Sequence, residues 1–409
     1  MATRGRPLKD INEDQVLWSL AEQNKYLVSL ATTIYFTGVM IGGAVFGQLG
    51  DKFGRKPITL ICLYSHIALA VGVYFSQSFE AFTLLRFFVG AFVQGVQTCL
   101  YALLNELTSL RYRPIVGDIN GIFWAVGTLW LATLSWLIQD WRNIQLALCL
   151  PSLITLVLPE SVLWLISKNK LTEAKTIFVK LSKCNQQSIT DEDLDLTKPK
   201  VNESIQYSFH HLVKAPNIRA RTLLLCYIWI TASIGYYALA LAVSPVTTNR
   251  FFNWFVSSLT ELPAFALSIV TLKYFSRRKS LMFFYSLTGV ACIIAGSLKN
   301  ESTNSALILA LIGKFGISAA FVTIDLYTVE LFPTVVRTLG MGTCIFWSRV
   351  GGMIAPQILL LGGVSINILP TIIIGVMALL AALDVYFLPE TFGKLLPNTI
   401  EEIEKTDIN

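Results

Sequence analysis

Gly50-Asp51-Lys52-Phe53-Gly54-Arg55-Lys56 is echoed 222 residues later by Leu272-Lys273-Tyr274-Phe275-Ser276-Arg277-Arg278, and this pairing organises the rest of the chain. Glu106-Leu107, followed by Arg113, returns 224 residues on as Glu330-Leu331 and Arg337. Leu158-Pro159-Glu160-Ser161 returns 230 residues on as Leu388-Pro389-Glu390-Thr391. Three echoes in one order, each at the end of an apolar run, describe two homologous halves.

The runs between the echoes are long enough to cross a bilayer, which takes roughly 20 mostly apolar residues. They fall at 27–49, 58–76, 81–103, 115–137, 143–158, 222–243, 252–272, 280–298, 305–328, 338–360 and 366–388, which makes eleven spans. Composition agrees: 54% of the 409 residues are hydrophobic and 14% charged, against about 25% charged in soluble domains. The net charge of +6 collects in a few links, around Lys52 to Lys56, Arg111 and Arg113, 159–221, Lys273 to Lys279, and Arg337. The opposite links carry only Arg142, Arg250 and Lys299. Such alternation sets topology, with the basic links in the cytosol, and does not point to nucleic acid. An odd number of spans then puts the N-terminus outside. Arg4, Arg6 and Lys9 run against this placement, partly offset by Asp10, Glu13 and Asp14.

The expected organisation is a polar segment 1–26, a half-bundle of five helices at 27–158, a linker 159–221, a half-bundle of six at 222–388, and a tail 389–409. In the linker, 161–183 predicts one amphipathic helix with Trp164, Leu165, Ala174, Ile177, Phe178 and Leu181 on one side. The acidic run Asp191 to Asp195 reads as a flexible connection. Shifting the sixth run back by the repeat lands on Met1 to Asp10 and its surroundings, too polar to span. The chain therefore reads as an eleven-helix version of a twelve-helix plan.

The motif Gly47-x-Leu49-x-Asp51-Lys52-x-Gly54-Arg55-Lys56 carries the clearest chemistry. Gly47 permits close packing, and Gly54 a tight turn. Asp51 suits a cation or a helix N-terminus in the facing half, and Arg55 and Lys56 suit an anionic inner leaflet. As a gate the cluster holds one face closed; the alternative is a basic turn that only sets topology. Lys273 stands where the second copy needs Asp, and Ser276 where it needs Gly, so a gate there is expected to be degraded. Glu106 with Arg113, and Glu330 with Arg337, are expected as ion pairs in each half, with ordinary surface charges as the alternative.

Gly47 to Pro57 resembles the signature of the major facilitator superfamily. Pro159-Glu160-Ser161-Val162-Leu163-Trp164-Leu165 is similar to the stretch after the sixth helix of the organic cation, organic anion and carnitine transporters, with Leu163 for the usual Arg. Glu330 to Arg337, Ser348-Arg349-Val350-Gly351, and Leu388-Pro389-Glu390-Thr391 with Leu396 to Glu402 resemble that family's later segments. The resemblance covers roughly 25–404; the family's first helix and large extracellular loop have no counterpart in this sequence. It implies an all-α major facilitator fold and a small organic ion as substrate. The plasma membrane is the family's usual location.

Charges inside spans are costly and mark cavities or partners. Arg349 lies midway along 338–360, where the resemblance implies an anion or carnitine carrier. Its guanidinium suits a carboxylate; the alternative is an internal pair with Glu261 or Asp325. Glu261 is commoner at its position in cation and carnitine carriers, so the two together suggest a zwitterion or a mixed-charge substrate. Lys314 and Asp325 share one span and complete the candidate substrate site. Tyr236 and Tyr237 match a Tyr-Tyr pair of the family, suited to a cation or an organic ring. Arg86-x-x-x-Gly90-x-x-x-x-Gly95 resembles a fourth-helix motif, with packing glycines and a structural or proton-linked Arg86.

No Walker loop and no nucleophile–base–acid set is present, so neither an ATP-driven pump nor an enzyme is expected. The seven scattered cysteines lack a CxxC pair, and no metal or other cofactor is expected. Expected partners are the bilayer and a small organic ion, bound by alternating access between the halves. The competing reading is a non-transporting chain that associates with or regulates a full-length transporter.

Overall fold

The structure is a computed structural model. It describes residues 25–108, 113–138, 140–149, 159–184, 209–241, 250–298, 303–333, 335–364, 368–394 and 400–406. The expected segment 1–24, the acidic run of the linker, the end of the fifth span and the Arg113 side chain lie outside these residues.

Among the described residues every regular element is a helix. The first half holds α1 (Lys25–Phe53), α2 (Arg55–Tyr74), α3 (Phe79–Leu107), α4 (Arg113–Leu137) and α5 (Trp141–Cys149). The link follows as α6 (Val162–Ser167), α7 (Leu171–Cys184) and α8 (Phe209–Lys214). The second half holds α9 (Pro216–Leu241), α10 (Arg250–Leu259), α11 (Glu261–Tyr274), α12 (Arg277–Leu298), α13 (Thr303–Leu331), α14 (Arg337–Val364) and α15 (Leu369–Phe387), with α16 (Ile400–Thr406) in the tail.

Nine of these segments are long and apolar enough to cross a membrane, α10 and α11 counting as one. At 25 residues α4 is also long enough to cross. The outer surface is apolar: Phe123, Trp130, Trp136, Leu137, Leu383 and Phe387 all stand exposed. Apolar exposure of this extent belongs in lipid.

Small residues decide the closest helix contacts. A Cβ added at Gly38 or Gly42 would strike the Phe87 or Ala91 carbonyl oxygen, so α1 and α3 meet backbone to backbone. At Gly47 an added Cβ would sit 3.7 Å from Thr98 Cγ2, an ordinary contact. The close approach expected at Gly47 thus falls one and two turns earlier. In the second half the core is broader, built on Trp229, Ala232, Phe284, Tyr285, Ile317 and Tyr327 around α9.

The amphipathic stretch 161–183 is two helices. Asn169 takes a left-handed φ of 64° and ends α6 before α7 begins. Asn is one of the few non-Gly residues that visits this region readily. Leu165 and Ala174 are buried from the two sides of the break. A second division, at Thr260 between α10 and α11, precedes Pro263, which has no N–H to offer the preceding turn. Thr260 keeps helical dihedrals, φ −66° and ψ −19°, so α10 runs on into α11 as one span with Glu261 midway along it.

Candidate functional site

Glu261, midway along the span formed by α10 and α11, is buried in the centre of the bundle. Lys314 of α13 meets it, with Nζ 3.0 Å from Oε1, and the two side chains are 2% and 1% exposed. Lys314 Nζ also donates to Ser257 Oγ at 2.8 Å. The Tyr236 hydroxyl donates to Glu261 Oε1 at 3.0 Å. Two donors arrive from α4 of the other half: Thr128 Oγ1 to Glu261 Oε2 at 3.3 Å, and Trp124 Nε1 to the Tyr236 oxygen at 2.8 Å. A carboxylate and an ammonium at this depth persist only when paired and hydrogen-bonded. This network meets that condition and ties the halves together.

Of the expected substrate residues, the network gathers Glu261, Lys314 and Tyr236. Tyr237 turns from it and packs edge-on against Phe36 of α1, centroids 4.7 Å apart. Arg349 and Asp325 form a second group, close enough for their charges to act on one another. An Arg349–Glu261 pair, one of the alternatives read from sequence, is not formed: Lys314 occupies Glu261. Asp325 lies deep among helices yet is exposed, and Arg349 is partly exposed, so both face open space within the bundle.

At the end carrying the basic links, two clusters repeat one another. Arg55 pairs with Asp51 at 2.5 Å and with Glu106 at 3.2 Å. Glu160 accepts from the backbone N–H groups of Arg55 and Lys56, each at 3.1 Å, capping the start of α2. Gly54, at φ 114°, makes the turn, and an added Cβ would lie 2.6 Å from Glu160 Oε2. In the second half Arg277 pairs with Glu330 at 3.3 Å. Glu390 accepts from the N–H groups of Arg277 and Arg278 at 3.0 and 3.2 Å, capping α12.

This corrects one expectation. Glu330 takes Arg277 as its partner, and Arg337 instead donates Nε to the Phe332 carbonyl at 3.3 Å. Glu106 takes Arg55, and the side chain of Arg113, its expected partner, lies outside the described residues. The long reach of Arg55 and Arg277 across to the neighbouring helix brings them nearer these acids than sequence proximity suggests. The second cluster keeps its arginine and both acids in place, with Lys273 at the position of Asp51 and Ser276 at that of Gly54. Asp51 itself stays within its own half.

The contacts between halves gather at the opposite end. Ser29 and Thr33 donate to the Pro356 and Met353 carbonyls at 3.4 and 3.2 Å. Gln357 Nε2 donates to Thr33 Oγ1 at 2.9 Å. A Cβ at Gly352 would sit 2.9 Å from the Phe36 ring. By contrast, each ion pair of the basic-end clusters joins residues of one half. Among the described residues the polar contacts between the halves thus lie at the centre and away from the basic links.

Trp124, Thr128 and Ser257 were not singled out by sequence. They sit in apolar runs as ordinary aromatic or hydroxyl residues, and only the tertiary fold brings them to Glu261 and Tyr236.

Two pseudo-repeated half-bundles, a polar centre between them and matched ion-pair clusters at one end define a membrane carrier of the two-half type. Residues 8–405 match the family model described as "Sugar (and other) transporter". The chain is 33% identical over 399 residues to solute carrier family 22 member 21 of Mus musculus, covering 95% of this chain and 71% of that protein. It is 32% identical over 394 residues to organic cation/carnitine transporter 2 of Homo sapiens, covering 94% and 71%. Its fold is similar to the inward open conformation of the xylose transporter XylE from E. coli, with a TM-score of 0.75 at 18% identity, covering 97% and 91% of the two chains. The chain belongs to the sugar (and other) transporter family of the major facilitator superfamily, in the branch of the organic cation and carnitine transporters.

Proposed function

We propose that this protein carries small organic ions across the plasma membrane by alternating access, with the described state open to the cytosol. One observation carries the substrate class: Arg349 and Asp325 present opposite charges to open space at the centre of the bundle, while Glu261 is already neutralised by Lys314. A guanidinium and a carboxylate exposed together suit an ion bearing both signs, or one of either sign that displaces the partner charge. A zwitterion such as carnitine fits this arrangement, and one relative reported above is named organic cation/carnitine transporter 2.

Glu261, Lys314 and Tyr236 then act as the joint between the halves, and Tyr237 with Phe36 lines the outer closure. The gates at the cytosolic end are Asp51, Gly54, Arg55, Lys56, Glu106 and Arg113 in one half, and Glu330 and Arg337, joined by Arg277 and Glu390, in the other. Each half moves as a rigid unit because these pairs fasten its helix ends. Rocking opens the outer contacts at Thr33 and Met353 and brings the two cytosolic clusters together. Gly47 packs within the first unit.

Uptake of labelled carnitine, urate and tetraethylammonium into cells expressing the chain tests this, with surface biotinylation to place it in the plasma membrane. The expected result is saturable uptake of at least one probe, with Arg349→Asp shifting preference from anionic toward cationic probes. Surface-expressed protein that takes up none of them refutes the proposal.

A further inference from the structure

The end of the first half that carries the basic links holds a cavity of about 320 Å³ that no step above uses. It lies between the start of α2 and the link around α6 and α7, with Lys56 and Pro57 on one side and Glu160, Trp164, Lys170 and Glu173 on the other. Trp164 is a fixed wall: its Nε1 donates to the Asp51 carbonyl at 3.0 Å, tying α6 to the end of α1. The Lys170 ammonium lies 5.9 Å from the centre of the Trp164 ring and 3.5 Å from Glu173.

The lining is one cation in excess. Glu160 is spent on two helix starts, accepting from the backbone N–H groups of Arg55, Lys56 and Ser161. Glu173 is matched by Lys170. Lys56 remains: the residue is partly buried, and among the described residues its ammonium has no ion pair. The apolar side of the cavity decides which kind of anion suits it. From Pro57, the residues Ile61, Tyr64, Ala68 and Val71 follow at steps of four, three, four and three, and all five are exposed. That spacing is one face of α2, about 21 Å long at 1.5 Å per residue. One leaflet of a bilayer core is about 15 Å thick, so the stripe can line all of it. A soluble anion makes no use of such a stripe. A phospholipid does, with its phosphate at the cavity and an acyl chain along α2.

We infer that this cavity binds an anionic glycerophospholipid from the leaflet at the basic links, with its phosphodiester on Lys56 and the rest of its headgroup between Lys170 and Glu173. The lipid joins the start of α2 to α6 and α7 and so fastens the link to the first half. The inference goes beyond the transport reading and holds whether or not the chain moves a solute.

The test is native mass spectrometry of the purified full chain, titrated with dioleoyl phosphatidylserine and, separately, dioleoyl phosphatidylcholine. The first phosphatidylserine is expected to bind more tightly than the first phosphatidylcholine. Lys56→Gln is expected to weaken phosphatidylserine about fivefold and to leave phosphatidylcholine within about twofold. Lys56→Met keeps the apolar stem, carries the same expectation, and serves if the Gln variant fails to fold. Lys180→Gln removes the same charge from an exposed position on α7, and is expected to leave both lipids within about twofold. Glycerophosphoserine, the headgroup without its chains, is expected not to displace the lipid even in large excess. The inference is overturned by unchanged phosphatidylserine binding in the Lys56 variants, or by a parallel loss of phosphatidylcholine. An equal loss in Lys180→Gln also overturns it, since that marks diffuse surface charge. So does displacement by glycerophosphoserine, which marks a site for a soluble phosphate.

Discussion

Replacing Glu261 by Gln tests the buried joint. The amide oxygen still accepts from Tyr236 and the amide N–H turns to the Thr128 hydroxyl as a donor, but the Lys314 ammonium, 2% exposed, loses its counter-charge. Removing one partner of a buried pair costs about 3–5 kcal/mol. For a cooperative unit of the size of one half-bundle, each kcal/mol lowers the Tm by about 2–4 °C. The expected drop is therefore about 6–20 °C. Glu261→Gln combined with Lys314→Gln removes both charges, and is expected to regain most of the loss because a neutral buried pair carries little desolvation penalty. The assay is thermal unfolding in nanodiscs followed by tryptophan fluorescence, to which Trp124 contributes from beside the site. A single variant within about 2 °C of wild type refutes the reasoning. So does a double variant no more stable than the single.

Gly54→Ala puts a Cβ at a φ of 114° and 2.6 Å from Glu160 Oε2; a loss of about 1–3 kcal/mol is expected, whereas Gly47→Ala, with 3.7 Å to Thr98, is expected to shift the Tm little. Burial of Glu390 pushes its carboxyl up, but donors from Phe392, Ser276, Thr391 and Arg277 outweigh this and hold it below its ordinary 4.5. Its contribution to stability is thus fully present above the ordinary value and is lost as pH falls through the lower, folded one. A Tm series from pH 7 to 3 is expected to show this acid-side loss in the wild type and a smaller one in Glu390→Gln. Trp124→Phe removes the donor to Tyr236 and about 1 kcal/mol of outer closure. Thiol labelling of a Cys at position 357 from outside is expected to speed up roughly fivefold.

The sequence carried the architecture further than the site. Periodic apolar runs and three spaced echoes defined the halves because bilayer thickness and internal repetition leave marks in one dimension. The caps by Glu160 and Glu390 were visible as repeated Pro-Glu steps, though not their targets. Partner choice was illegible where long side chains choose among several acids. Arg55 and Arg277 cross to a neighbouring helix, while Arg113 and Arg337, nearer in sequence, had been the expected partners. The Glu261–Lys314 pair was hidden for a related reason: its members lie 53 positions apart, and only the packing of α11 against α13 brings one to the other. Asn169 shows the limit for local structure, since amphipathic periodicity ran through it without marking the left-handed turn.

The central claim is that the halves alternate about the site, and that motion carries an organic ion. Thr37 Oγ1 and Met353 Sδ lie 3.2 Å apart across the outer closure. Cysteines at these two positions, joined by a short cleavable cross-linker, hold that end shut. The decisive measurement is uptake of labelled carnitine and tetraethylammonium into proteoliposomes containing this double variant alone, before cross-linking, after it, and after cleavage. The account predicts saturable uptake of at least one probe, abolished by the cross-link and restored by cleavage. Uptake that continues through a complete cross-link, or none at all by folded protein before cross-linking, contradicts it.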